Sequence, residues 1–365
     1  MTRQLPALTS LRGIAAFFIL VHHITIYYLP ELGRFAGRFS PFLEKSYLWV
    51  DFFFILSGFI ICHVYHEKFG SSIINFHDFK TYMAARFARI YPLHMIILCC
   101  LIILELIYFY LYQAGISPLL SEPPFGVKHS VKTIITNFLL LQSLHQYSSW
   151  NEPAWAISAE WIMYWLLPVI ILGTSRAGMA AIALLFAFAF SGIFFITYIS
   201  SGSLDVMSWK ALLRCATEVT AGVAAYRVFK RLPASNPLNN TFAANSILTC
   251  VLLTLSLPVN PLITVVLFGL LIISSARLEQ GILANSTLLL LSGQISYSIY
   301  MIHWLILEGI NRSLTWITGV GIDRHLCLSY QLGIAVLLAA FTFFVSYFVW
   351  FFIENPLRSR LKRIC

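Results

Sequence analysis

Long apolar stretches separated by short polar segments run through the whole chain. Ten of them are 15 to 24 residues long, close to the roughly 20 residues that span a bilayer as a helix. They cover residues 7–28, 48–65, 90–113, 154–173, 178–199, 211–229, 243–257, 260–275, 289–310 and 330–353. An eleventh stretch, 134–145, is too short to cross, so we expect a re-entrant or interfacial segment there. Because a backbone in lipid must satisfy its own hydrogen bonds, the pattern predicts an all-α integral membrane bundle of about ten transmembrane helices.

No internal repeat or linker divides the sequence, which predicts a single membrane domain over residues 1–365. The first apolar stretch follows a short basic start and in this respect resembles a signal peptide. It contains Arg12, His22 and His23, however, and no convincing small-residue cleavage site follows it. We therefore expect it to be retained as the first membrane span.

The composition agrees with a membrane protein. The chain is 59% hydrophobic and only 11% charged, whereas soluble globular domains carry about 25% charged residues. Its formal net charge is +9, but the basic residues lie between apolar stretches and do not form one polar face. We therefore expect the lipid bilayer, and no nucleic acid, as a partner. The seven cysteines show no disulfide or metal-ligand spacing, so we expect no metal.

The distribution of Lys and Arg between the stretches indicates the orientation in the membrane. With ten crossings and both termini in the cytoplasm, nearly twice as many of these residues lie inside as outside. If 134–145 also crossed, every later loop would change sides and the excess would be reversed. Because cytoplasmic loops carry the excess of Lys and Arg, the sequence predicts ten crossings with cytoplasmic termini.

Ionisable side chains within the apolar stretches mark the candidate site, since each costs about 2.5–3.5 kcal/mol to insert. Arg12 and His23 are eleven residues apart, so they share one helix face and lie about 16 Å apart along the axis. In the predicted orientation Arg12 lies in the inner half of the first span and His23 in the outer half. Asp51 and Glu160 also lie toward the outer ends of their spans.

The stretch 289–310 carries a polar stripe, because Ser296, Tyr300 and His303 recur at helical spacing. The arrangement along the membrane normal is therefore asymmetric. Basic groups lie toward the cytoplasm, whereas histidines and carboxylates converge toward the outside. An anionic donor that enters from the cytoplasm, with acid–base chemistry deeper in the membrane, would need this arrangement.

Six motifs follow one another along nearly the whole chain. They are LTSLRGIAAFFILVHH, which holds Arg12, ten residues and then His23; VDFFFILSGF at 50–59; RFARIYP at 86–92; WAISAEW at 155–161; ISYSIYMIH at 295–303; and FIENPLR at 352–358. Together they resemble the membrane acyltransferase-3 family. The C-terminal extracytoplasmic SGNH esterase-like domain of some relatives is absent, so the expected form is the stand-alone one.

The resemblance implies an enzyme that moves an acyl group, usually acetyl, from acyl-coenzyme A to a hydroxyl of a cell-surface glycan or lipid-linked sugar. It implies His23 as the general base, or as a covalent carrier of the acyl group. A carboxylate, Glu160 or Asp51, would orient the imidazole. Arg86 and Arg89 would bind the nucleotide phosphates of the donor, because a planar guanidinium matches phosphate oxygens.

Arg12 lies too far along the helix to contact His23, so we expect it beside the pantetheine arm or a phosphate. Ser57 and Gly58 would let the donor approach the second span closely. The other pocket candidates are His22, Trp155, Ser158, Ser296, Tyr300 and His303. The expected location is the bacterial inner (cytoplasmic) membrane.

Simpler interpretations stay open for several of these residues. His303 could be a hydrogen-bonded packing residue, Asp51 a hydrated side chain at the interface, and Arg86 and Arg89 topological anchors. The alternative function is a proton-coupled transporter with many spans, since buried Asp, Glu and His also form proton relays. Against it, the sequence shows no repeated half with matching interrupted helices.

Overall fold

The computed structural model describes residues 5–70, 74–115, 123–145, 149–175, 178–233, 235–319, 321–322 and 327–364. Within these residues every regular element is helical, as the sequence predicts. The bundle is built from α1 (Pro6–His23), α2 (Trp49–Phe69), α3 (Phe76–Gln113), α4 (Ala154–Ser175), α5 (Met179–Ile199), α6 (Trp209–Arg231), α7 (Thr241–Ser256), α8 (Pro261–Ser275), α9 (Thr287–Gln294), α10 (Ser296–Thr318), α11 (Leu328–Val349) and α12 (Asn355–Ile364). Short helical segments cover Pro30–Gly37, Phe42–Lys45, Ser46–Leu48, Val131–Thr133, Ile134–Phe138, Gln142–Leu144 and Ile282–Asn285. Two π-helical turns, Ile24–Tyr28 and Trp350–Glu354, follow α1 and α11.

Each of the ten predicted spans coincides with a described helix or helix pair, but not all of them have the length and composition of a membrane span. Six helices are long and apolar enough, or seven if the bent pair α9–α10 is one span. The helices α7 and α8 are shorter, and α6 carries several charged side chains, including Arg214 and Glu218. The number of ten crossings therefore stays a prediction. Residues 134–145 form only short helical pieces, too short to cross a bilayer. Arg3, Arg176 and Arg324, which contribute to the predicted excess of basic residues, lie outside the described residues.

The predicted span 289–310 is not one straight helix, because α9 and α10 meet at an angle of 64°. The cause lies in the close packing of α9 against α1. A Cβ on Gly293 would stand 1.9 Å from the carbonyl oxygen of Thr9, and one on Gly13 would stand 2.0 Å from Ser292 Oγ. Serine and glycine pairs are frequent sites of helix kinks. The bend lets α9 contact the start of α1 while α10 passes the site.

The helix α3 is longer than predicted, since it begins at Phe76 and not near residue 90. Its 38 residues extend about 57 Å, well beyond the roughly 30 Å of the hydrocarbon core. Arg86 and Arg89 are therefore part of a rigid helix and do not lie in a loop. Their positions are fixed by the packing of α3 against α12, α10 and α4.

The helices α2 and α6 pack backbone against backbone. A Cβ on Gly58 would stand 2.0 Å from the carbonyl oxygen of Val219, and one on Gly222 would stand 2.0 Å from that of Ile55. The face of α2 at Gly58 is therefore covered by α6, and the donor-binding role of Gly58 stays a prediction. Small residues at helix contacts permit such close approach in membranes.

Candidate functional site

A cavity of about 430 Å³ lies between α1, α2, α3, α4, α10 and α12, and four arginines define it: Arg12, Arg86, Arg89 and Arg358. We call this cavity the arginine pocket. Four further predicted site residues line it, namely Ser57, Glu160, Ser296 and Tyr300. The structure thus brings together side chains from six helices that the sequence analysis took from separate motifs.

The packing of the bundle holds two of these arginines in place. Arg12 on α1 donates from Nη2 to Ser296 Oγ at 3.1 Å, which joins α1 to the first turn of α10. The guanidinium of Arg86 lies 5.8 Å from the ring centroid of Tyr65 and 5.9 Å from that of Tyr164. Cation–π contacts of this kind orient a guanidinium without neutralising its charge.

The arginine pocket carries an excess of positive charge. Among the described residues, none of its four arginines forms an ion pair within 4.0 Å. Two carboxylates, Glu160 and Glu354, lie within electrostatic range of Arg12, and Glu354 accepts a hydrogen bond from Ser298 Oγ at 2.6 Å. The Nε atom of Arg86 is buried with no hydrogen-bond partner among the described residues. Four cations against two carboxylates in a buried site favour an anionic ligand.

Two aromatic side chains, Phe53 and Tyr300, line the part of the arginine pocket nearest to His303. Their ring centroids are 6.3 Å apart, and the Tyr300 ring lies 6.0 Å from that of His303. The Tyr300 hydroxyl donates to the carbonyl oxygen of Pro153 at 2.6 Å, which fixes the ring. A ligand bound at the arginines would therefore reach the histidines by passing Tyr300.

His23 and His303 form the second half of the site, which we call the histidine pair. Their ring centroids are 4.9 Å apart, although the residues come from α1 and α10. Each ring is held by its own helix: His23 donates from Nδ1 to the carbonyl oxygen of Ile19 at 2.9 Å, and His303 to that of Ile299 at 3.0 Å. Because a carbonyl oxygen only accepts, Nδ1 carries the proton and Nε2 keeps the lone pair in each neutral ring. Both histidines are therefore set to take a proton at Nε2.

The structure does not bring the predicted carboxylates to His23. Asp51 is fully buried and accepts two hydrogen bonds from Arg214, one of them from Nε at 2.9 Å. Glu160 lines the arginine pocket. The Ile19 carbonyl takes the orienting position that the sequence analysis assigned to Glu160 or Asp51. Catalytic roles for these two carboxylates stay predictions, without a contact to His23 in the described residues.

Three of the other pocket candidates belong to neither half of the site, although the His22 ring borders the histidine pair at 5.3 Å from the ring centroid of His23. His22 is buried and bonds through Nδ1 to the carbonyl oxygen of Leu43 at 2.8 Å. The ring of Trp155 lies 5.7 Å from the guanidinium of Arg214. Ser158 donates to the carbonyl oxygen of Leu140 at 2.7 Å and so fixes α4 to the short segment before it. These contacts are those of packing residues.

Three residues of the site had been given no role from the sequence. Arg358 had been counted only as a basic residue after the last span, yet α12 folds back and places it in the arginine pocket. Trp304 and Tyr27 surround His23, with ring centroids 5.7 Å and 5.5 Å from it. The motif FIENPLR contains Arg358, so this motif was the signal that could have identified it. The sequence did not indicate which residues surround Arg358 in the folded protein.

Comparison with known families decides the class of this protein. A family model described as an acyltransferase domain, of the acyltransferase-3 type, matches residues 5–354. The chain belongs to the acyltransferase-3 family. Membership confirms the resemblance carried by the six motifs and the predicted enzyme class, the transfer of acyl groups other than aminoacyl groups. No solved structure matches this acyltransferase-3 chain significantly.

Two curated relatives are similar to parts of the chain. "Protein 2 in picA locus" from Rhizobium radiobacter is 41% identical over 91 residues, which are 25% of this chain and 40% of that protein. "Acyltransferase MdmB" from Streptomyces mycarofaciens is 25% identical over 170 residues, which are 46% of this chain and 39% of that protein. The matched regions therefore span well under half of either relative.

Proposed function

We propose that this acyltransferase-3 domain moves an acyl group, in the simplest case acetyl, from acyl-coenzyme A to a hydroxyl of a cell-surface glycan or lipid-linked sugar. The observation that carries the proposal is the arginine pocket, whose four arginines lack ion-pair partners among the described residues. A nucleotide with several phosphates supplies the missing negative charge. Guanidinium groups bind phosphate oxygens through charge-assisted hydrogen bonds.

In the proposed complex the phosphates lie at Arg86, Arg89 and Arg358, and the pantetheine arm extends along α1 past Arg12. The arm passes Tyr300 and brings the thioester to the histidine pair. The roughly 16 Å between Arg12 and His23 along α1 suits a long, flexible arm that links a charged group to a reactive one. Binding at the phosphates then positions the distant carbonyl carbon.

The proposed chemistry uses His23 as the general base. The acceptor hydroxyl gives its proton to His23 Nε2, and its oxygen attacks the thioester carbonyl. The carbon–sulfur bond breaks, an ester forms, and the imidazolium returns the proton to the leaving coenzyme A thiolate. Hydrogen bonding of Nδ1 to the Ile19 carbonyl stabilises the charged ring during this cycle. His303 presents a second imidazole beside it.

Three arginines of the pocket should each contribute to donor affinity. We expect Arg86→Gln, Arg89→Gln and Arg358→Gln each to weaken acetyl-coenzyme A binding by about 1.5–3 kcal/mol, or roughly ten- to hundredfold in Kd. Isothermal titration calorimetry on purified protein in detergent measures the change. Arg34→Gln is the matched control, because this arginine is exposed and paired with Glu31.

Release of coenzyme A tests the function itself. Wild-type protein should release the free thiol from acetyl-coenzyme A in the presence of a glycan acceptor. Unchanged affinity in all three arginine variants would contradict the proposed donor site. A wild-type protein that binds donor but never releases coenzyme A would instead favour the transporter.

We also propose that the domain lies in the bacterial inner membrane with both termini and the arginine pocket on the cytoplasmic side. The prediction rests on the excess of Lys and Arg on that side. It fits a donor made in the cytoplasm, since Arg12 near the start of the chain and Arg358 near its end line the same pocket. Reporter fusions after Arg277 and after Gly319 should give opposite signals, cytoplasmic and outer respectively. Equal signals would contradict this orientation.

A further inference from the structure

We propose that Glu308 on α10 is a positioning residue for His23. It acts through Tyr28 and Trp304, which hold the His23 ring in its place beside His303. The proposal rests on the proposed function, because it assumes that His23 takes the acceptor proton. It adds a residue outside the histidine pair whose effect on turnover is indirect.

A cluster of charged side chains fixes Glu308 on the far side of the histidine pair from the arginine pocket. Arg312 donates from Nε to Glu308 Oε1 at 2.6 Å and from Nη1 to Glu105 Oε2 on α3 at 2.6 Å. Glu105 also accepts from the backbone N–H of Phe125 at 2.8 Å. His129 Nδ1 lies 3.0 Å from Nη2 of the same arginine. Because hydrogen bonds between ionised groups are short and strong, Glu308 is anchored to α3 and to the loop that follows it.

The second carboxylate oxygen of Glu308 binds the end of the first span. The Tyr28 hydroxyl donates to Glu308 Oε2 at 2.9 Å. Tyr28 is the last residue of the π-helical turn that begins directly after His23. The π-helix is a rare conformation, so we infer that contacts from outside the turn stabilise it here. The hydrogen bond to the anchored Glu308 is such a contact.

The ring of Trp304 connects Tyr28 to the histidine pair. It contacts the ring of Tyr28 at 5.6 Å between centroids and that of His23 at 5.7 Å, both nearly edge-on. Trp304 follows His303 directly in the chain and lies about one turn before Glu308. Because Trp304 is buried and close-packed interiors transmit displacements, a shift of Tyr28 would reach the His23 ring.

The hydrogen bond that His23 makes within its own helix does not fix its distance to His303. Its Nδ1 bonds to the carbonyl oxygen of Ile19 on α1, which orients the ring relative to α1 alone. The separation of 4.9 Å between the two imidazoles depends on how the end of α1 is held against α10. The hydrogen bond from Tyr28 to Glu308 joins these two elements. A misplacement of about 1 Å can reduce turnover by about a hundredfold.

Tyr28→Phe tests the proposal, because it removes the hydroxyl and keeps the ring that contacts Trp304. We expect the kcat of coenzyme A release to fall about tenfold, as a small displacement of a reacting group would cause. The Kd of acetyl-coenzyme A, measured by calorimetry in detergent, should be unchanged because Tyr28 does not line the arginine pocket. A hydrogen bond with a purely structural role would lower the thermal unfolding midpoint without this loss of kcat per folded molecule.

Two variants of Glu308 give a second comparison. In Glu308→Gln the amide can accept from Arg312 and donate to Tyr28, since a tyrosine hydroxyl also accepts. This variant should keep most of the wild-type kcat, whereas Glu308→Ala should lose at least as much as Tyr28→Phe. Tyr226→Phe is the matched control, because it also removes a buried tyrosine hydroxyl, hydrogen-bonded between α6 and α2 to His66 at 3.0 Å. Its kcat should be that of the wild type.

The proposal is overturned if Tyr28→Phe keeps the wild-type kcat, if it binds the donor more weakly, or if Tyr226→Phe loses kcat equally. It is also overturned if Glu308→Gln loses as much kcat as Glu308→Ala, and this comparison decides if Tyr28→Phe does not fold. Absence of coenzyme A release by the wild type would instead reject the proposed function. An active wild type with unaffected variants rejects only the positioning role.

Discussion

Replacing His23 by alanine should abolish acyl transfer while the protein still folds and still binds acetyl-coenzyme A. A positioned general base contributes about 10²–10⁴-fold to turnover, and the neighbouring His303 is held in its own position by the Ile299 carbonyl. The donor should bind normally because the arginine pocket is not lined by His23. Coenzyme A release under single-turnover conditions measures the loss, and calorimetry measures donor affinity in the same preparation.

His22→Ala is the matched control for this experiment. The His22 ring contacts the His23 ring edge-on at 5.3 Å, but its Nδ1 bonds to the Leu43 carbonyl, so its removal should affect stability more than turnover per folded molecule. Near-normal turnover in His23→Ala would contradict the mechanism. If His22→Ala were the inactive variant, the base would have to be His22.

The second large effect should be on stability, at the buried ion pair between Asp51 and Arg214. Arg214 also donates to the Leu204 carbonyl at 2.8 Å and lies 3.8 Å from Glu218. Arg214→Gln would leave two buried carboxylates without a counter-ion, so we expect about 3–5 kcal/mol of destabilisation or a failure to fold. Asp51→Asn should cost less, because Glu218 remains near the guanidinium to balance its charge.

Unfolding of the two variants by denaturant in detergent gives the order of the effects. A greater loss in Asp51→Asn than in Arg214→Gln would contradict the charge balance described here. The same proteins also test the predicted catalytic role of Asp51. Normal coenzyme A release per folded Asp51→Asn molecule would leave it a structural role, whereas lost turnover in a stable protein would support catalysis.

The helical class and much of the site were readable from local spacing. Arg12 and His23 share a face because eleven residues make nearly whole turns, and Ser296, Tyr300 and His303 share one for the same reason. These regularities act within a single helix. They therefore predicted which side chains face the interior of the bundle, and the structure places Arg12, Ser296 and Tyr300 together in one cavity.

Pairings between helices were beyond that kind of reasoning. Asp51 and Arg214 are 163 positions apart, and no periodicity indicates that they meet. From the sequence, Asp51 was a lone carboxylate near the end of a span, which suggested catalysis. In the structure its partner is the buried Arg214. The return of Arg358 into the pocket and the bend between α9 and α10 likewise depend on contacts between distant segments. The bend depends on the close contacts of Gly293 with Thr9 and of Gly13 with Ser292.

The distance between the arginines and the histidine pair has a consequence for metabolic control. In the proposed complex, the arginines hold the phosphates, and Arg12 lies about 16 Å from His23 along α1. These side chains would not sense whether the far sulfur carries an acyl group. The free thiol and its thioester would then bind with nearly equal strength, because both carry the same phosphates. Product inhibition follows, and the rate tracks the ratio of thioester to free coenzyme A. Under the proposed function, the extent of acylation would thereby report how much of the coenzyme A in the cell carries an acyl group.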